Sequence, residues 1–110
     1  MSKAHAGMAI PTVYISGPMS GLPESNYPAF NRAAEHIVAM GYSVENPAEN
    51  PEPACKSWAG YMRLALAQLV RCDISVRLPG WENSRGAVVE NDIANILGLE
   101  VIDLHDFLKR

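Results

Sequence analysis

The chain has 110 residues, 48% hydrophobic and 19% charged, with a formal net charge of -3. That length accommodates one domain without a second core, and the balance excludes disordered and fibrous classes. The acidic surplus excludes the electrostatic footprint of a duplex nucleic-acid binder, and no run approaches the roughly 20 apolar residues of a membrane span.

Residues 1–11 read as a mobile tail with no secretory signal, which points to the cytoplasm, and residues 12–110 as the domain. Thr12-Val13-Tyr14-Ile15-Ser16 is a β-rich run closed by Gly17-Pro18. From about Asn26 to Met40, Phe30, Ala33, Ala34, Ile37 and Val38 recur at helical spacing, and Gly41 supplies a stop. Tyr42 to Glu45 reads as a second strand, and the proline-rich stretch Asn46 to Pro53 as loop. Ser57 is placed to cap a helix whose Trp58, Tyr61, Met62, Ala65, Leu69 and Cys72 form one stripe. Ile74 to Leu78 is a third strand ended by Pro79-Gly80. In the next helix Val89, Ile93, Ile96 and Leu97 share a face and Gly98 ends it. Val101-Ile102 then predicts a fourth strand, and His105 to Lys109 a last helical turn. Strands alternating with helices imply parallel βαβ units with right-handed crossovers. The expected fold is a small doubly wound α/β sheet, flavodoxin- or Rossmann-like, with helices on both faces.

In such sheets ligands bind beyond the carboxyl ends of the strands, which turns attention to Ser84-Arg85-Gly86-Ala87-Val88-Val89-Glu90. Ser84 is a natural helix cap. Gly86 in a first helical turn costs roughly 1 kcal/mol against alanine, so it suggests close approach by a ligand or a strand. Glu90 falls in the second turn, at the border of the apolar stripe. Two readings stay open for it: an exposed helix glutamate paired with Arg85, or a carboxylate facing a cleft, where it can serve as nucleophile or base. The loop Gly17-Pro18-Met19-Ser20-Gly21 can put N–H groups beside the same cleft. Trp81 is placed either to stack on a base or to cover the core edge. Tyr14 is either a core aromatic or a group pointing into the cleft. Asp73 reads as a local cap or partner. His5, His36 and His105 have no metal-ligand spacing, Cys55 and Cys72 read as reduced thiols with Cys72 in the core, and no P-loop, dinucleotide fingerprint or Ser-His-Asp triad is present. No cofactor or metal is expected.

Val13-Tyr14-Ile15-Ser16-Gly17, then Cys72-Asp73-Ile74 opening a strand, then Ser84-x-Gly86-x-x-x-Glu90 together resemble the nucleoside 2-deoxyribosyltransferase superfamily, which includes the 2'-deoxynucleoside 5'-monophosphate N-glycosidases. With Leu78-Pro79-Gly80-Trp81 ahead of the last motif, the chain resembles still more the short phage and prophage proteins attached to that superfamily, with coverage from about Thr12 to Ile102. The resemblance implies a nucleoside or nucleotide substrate and a glutamate, Glu90, that attacks the anomeric carbon of a deoxyribosyl group. It also implies that Tyr14 orients that glutamate and that Ser84 and Gly86 hold the sugar or its 5'-phosphate. A homo-oligomer is implied too, built partly on the Trp58, Tyr61 and Met62 face. Three features depart from the pattern. Ala65 stands where the family carries a second acid, eight positions before Asp73, with Arg63 and Glu82 as conceivable substitutes. Pro18-Met19 replaces a serine and an arginine-containing run of the monophosphate glycosidases, and Asp92 replaces a glycine. These departures leave two functions in play: an N-glycosidic bond hydrolase or transferase, and a non-catalytic nucleotide-binding module of the same fold. A small interaction protein with a vestigial cleft is a third.

Overall fold

Four parallel strands form one sheet in the order β2-β1-β3-β4 in the computed structural model, which describes residues 10–110. They are β1 (Thr12–Ser16), β2 (Ser43–Glu45), β3 (Ile74–Arg77) and β4 (Glu100–Asp103). The helices between them are α1 (Tyr27–Ala39), α2 (Trp58–Leu69) and α3 (Arg85–Ile96), and α4 (Leu104–Phe107) closes the chain. This is the expected doubly wound α/β fold. Most of the expected tail lies outside the described residues; its last residue, Pro11, already accepts a hydrogen bond from Ser43 N at 3.2 Å.

The central strands are buried on both faces, so they read as apolar runs and not as alternations. Val13 and Ile15 of β1, with Ile74 and Val76 of β3, meet Phe30, Ala33 and Ile37 of α1 and Phe107 of α4. On the opposite face Tyr14 meets Ala65 and Leu69 of α2, Cys72, and Ala94 of α3. Cys72 is thus a core residue, and burial pushes its thiol up to about 12.

Local signals set the helix ends. The Ser57 hydroxyl accepts from Gly60 N at 3.0 Å and the Ser84 hydroxyl from Ala87 N at 3.2 Å, each satisfying one orphan N–H of a first turn. Gly41 and Gly98 end α1 and α3 at φ of 100° and 79°, the left-handed conformation that glycine adopts without a Cβ penalty.

Two elements differ from the sequence-based expectation. The buried face of α3 is Ala87, Glu90 and Ala94, whereas Ile96 and Leu97 are 76% and 53% exposed. Of the expected stripe, Val89 is half-buried and Ile93 packs against the Tyr14 cluster, while Ile96 and Leu97 at its end face outward. On α2, Met62 is buried against α3 and only Trp58 and Tyr61 of the expected outward face are exposed. No described helix is long and apolar enough to cross a membrane.

Candidate functional site

The order of the strands places the chain's reversal point between β1 and β3, where open α/β sheets open a crevice at the strands' carboxyl ends. In β1 the side chains alternate, so Tyr14 and Ser16 share the face that looks toward α2 and α3. Glu90 comes to them from the second turn of α3. Tyr14 Oη donates to Glu90 Oε2 at 2.7 Å and Ser16 Oγ donates to Glu90 Oε1 at 2.6 Å. All three residues are buried, Glu90 with 6% of its surface exposed.

A carboxylate so far out of water needs both oxygens satisfied, and each oxygen here has its own hydroxyl donor. Burial pushes the Glu90 carboxyl above the usual carboxylate range, and the hydrogen bonds from Ser16 and Tyr14 pull part of the way back. The Tyr14 phenol is raised well above its ordinary value, by burial first and then by the Glu90 charge. It therefore stays protonated and acts toward Glu90 as a donor. Ser75, in register with Tyr14, has no hydrogen-bond partner among the described residues and takes no part in this network.

Glu90 forms part of the wall of a cavity of about 420 Å³, within the range of small-molecule sites. Gly17, Met19, Ser84 and Gly86 line it as well. Its apolar surface comes from Phe30, Trp58, Met62 and Ala65, and its phenols from Tyr27 and Tyr61. Glu90 is its one carboxylate, and no lysine, arginine or histidine lines it among the described residues.

The glycines have separate reasons. A Cβ on Gly17 would stand 2.7 Å from Leu78 Cβ and 3.0 Å from Leu78 Cδ1, and Leu78 is fully buried. Gly17→Ala is expected to destabilise the fold by about 1–3 kcal/mol, the usual cost of overpacking. Urea unfolding checks it, and an unchanged midpoint would refute the packing argument. At Gly86 the close neighbour is helix α2 and not a strand: an added Cβ would meet Met62 Sδ at 3.1 Å. One wall segment is held in an unusual backbone: Glu24, Ser25 and Asn26 have φ of 53°, 54° and 62°, a left-handed turn costing roughly 1–2 kcal/mol per L-residue. Asn26 Nδ2 donates to Pro18 O at 2.9 Å, tying this turn to the loop after β1, while Ser25 and Tyr27 line the cavity.

Other sequence expectations fall elsewhere. Trp81 does not line the cavity: the Arg77 guanidinium lies 4.4 Å from its ring centroid. Arg77 is itself held by Asp103 Oδ1 at 2.9 Å and Asn91 Oδ1 at 3.0 Å. Arg85 stacks over Trp58 at 3.8 Å and is not paired with Glu90, so the exposed ion-pair reading of that glutamate is replaced. Arg63 and Glu82 are exposed and off the cavity wall. Asp73 is not a local cap or partner: its Oδ2 accepts from Thr12 N, 61 residues away at the start of β1, at 2.9 Å. No cluster of possible metal ligands occurs among the described residues. Sequence reasoning missed Ser16, although its place two residues after Tyr14 in a strand is a signal for a shared face. It also missed Asn50 of the cavity wall, for which the proline-rich loop offers no periodicity.

No curated protein matches the chain. A family model described as "Domain of unknown function (DUF4406)" matches residues 11–103, the whole sheet and its three long helices, and the chain belongs to that family.

Proposed function

We propose that this domain cleaves the N-glycosidic bond of a 2'-deoxynucleoside, as a hydrolase or a deoxyribosyltransferase, with Glu90 as nucleophile. The observation that carries the reading is a buried carboxylate, each oxygen held by one hydroxyl, on the wall of a cavity at the sheet's reversal point. One Glu90 oxygen attacks C1' of the sugar as the bond to the base breaks and its electron pair leaves with the base. The glycosyl ester is then resolved by water or by a second base attacking C1', which returns the carboxylate. Tyr14 and Ser16 keep Glu90 oriented, and Ser84 and the Gly86 backbone stand on the same wall to meet the sugar. A cavity without a cationic side chain and with one carboxylate favours a nucleoside over its phosphorylated form. The exposed Trp58 and Tyr61 rings offer the contact for the homo-oligomer that the family resemblance implies.

A binding module is the second reading, and Ala65 favours it. This residue lines the same cavity as Glu90, where an acid able to protonate the departing base would be needed. Incubation with a panel of 2'-deoxynucleosides and their monophosphates, followed by chromatography for free base, separates the readings. Release by the wild type and not by Glu90→Ala is the expected result for catalysis. Saturable binding by calorimetry without release is the result for a binder, and neither would leave an interaction protein.

A further inference from the structure

Asn50 stands on the cavity wall, on the loop that follows β2, and its amide is the last member of a chain of polar groups running in from the surface. Arg71 lies 3.5 Å from Glu45 Oε1. The same carboxylate oxygen accepts from Gln68 Nε2 at 3.1 Å, and Gln68 Oε1 accepts from Asn50 Nδ2 at 2.6 Å. The polarity of this chain is dictated by its outer end. A carboxylate only accepts, so Gln68 must turn its NH2 toward Glu45 and its oxygen toward Asn50. Asn50 must then spend one N–H on Gln68. Its Oδ1 has no donor among the described residues, and Gln68 does not line the cavity whereas Asn50 does.

We propose that Asn50 is the base-specificity residue of this site, its Oδ1 locked by the Glu45–Gln68–Asn50 chain as an acceptor for an N–H of the nucleobase. The assignment rests on the nucleoside reading given above. It gives a preference for bases that carry a ring or exocyclic N–H on the edge they present, because a base lacking one leaves the acceptor desolvated and unpaired. A free asparagine side chain can rotate its amide by half a turn and meet a donor or an acceptor equally well. Here that rotation would set Asn50 Oδ1 against Gln68 Oε1, so the ligand cannot choose.

Calorimetric binding of 2'-deoxyadenosine, 2'-deoxyinosine and purine 2'-deoxyriboside tests this, since the first two carry base N–H donors and the third has none. The wild type is expected to bind the first two about 3–10-fold more tightly than the third. Asn50→Ala removes that preference, so that the three ligands bind within about twofold of one another. Glu45→Gln, remote from the cavity, narrows the preference by releasing the chain's polarity, and it serves where Asn50→Ala does not fold. Equal losses for all three ligands in Asn50→Ala, or a wild type with no preference among them, would overturn the role of Asn50 and leave the nucleoside reading standing. A wild type that binds none of the three overturns both.

Discussion

Glu90→Gln is expected to raise the thermal stability of this domain at neutral pH while removing the base release proposed for it. The side chain keeps its shape, and the Tyr14 and Ser16 hydroxyls, which can accept as well as donate, reorient around an uncharged amide. What the substitution removes is a charge held out of water. The carboxyl is pushed above its ordinary range by burial, more than the two hydrogen bonds restore. Its folded-state value therefore lies above its unfolded value. The stability it contributes is fully present below the unfolded carboxylate range and is lost as pH rises through the folded value. A neutral glutamine does not titrate, so the difference between variant and wild type is small in acid and grows toward neutral pH. We expect a gain of roughly 0.5–2 kcal/mol, the usual return when a strained functional residue is neutralised, at about 4–8 °C per kcal/mol for a domain of this size. Glu90→Ala gives the opposite sign, because it opens a void and orphans two buried hydroxyls. Base release falls by at least roughly 10³-fold in both, as expected when a nucleophile is removed. Melting curves of the three proteins between pH 4 and 8 decide the matter. A glutamine variant less stable than wild type at neutral pH, with no trend in the difference, would mean that the hydroxyl pair outweighs the burial.

What the sequence made legible follows from how local each signal is. The β-branched and aromatic run Thr12–Ser16, the caps Ser57 and Ser84, and the terminal Gly41 and Gly98 act within a few residues, and each does its expected work. The alternation of elements is enough for the doubly wound sheet. The environment of Glu90 was less accessible, because the inner face of α3 carries a buried glutamate between Ala87 and Ala94 while Ile96 and Leu97 stay outside. A hydrophobicity pattern reports size and apolarity, not closeness of approach. Trp81 could not be placed, since its partner Arg77 is fixed by Asp103 and Asn91 from two further elements. The same holds for Asn50, whose orientation depends on Gln68 and Glu45. Ser16 was passed over although strand alternation sets it on the face of Tyr14, because only a partner as distant in sequence as Glu90 reveals why a hydroxyl stands there.

If Glu90 is a nucleophile short of an acid, supplying the acid changes the outcome, and Ala65 is the place to supply it. This residue sits on α2, 7% exposed, packed with Tyr14 and Leu69 on one side and lining the cavity on the other. Ala65→Asp puts a carboxyl on the same wall as Glu90. Two carboxyls in one poorly solvated site resist ionising together, so one of them keeps its proton to higher pH. A retained proton is what departure of a base requires. The expected result is base release raised by roughly 10²–10⁴-fold over wild type, at a stability cost of about 1–3 kcal/mol for the buried polar group. Ala65→Asn carries nearly the same volume and no titratable proton, so it bears the stability cost without the gain in rate. The gain should decline as pH rises through the new acid, and it should vanish in combination with Glu90→Ala. A folded Ala65→Asp protein that binds the nucleoside and releases no base would show that Glu90 does not reach the anomeric carbon. In that case the cavity, its paired hydroxyls and its buried carboxylate serve recognition, and the change at Ala65 is not what separates this domain from a glycosidase.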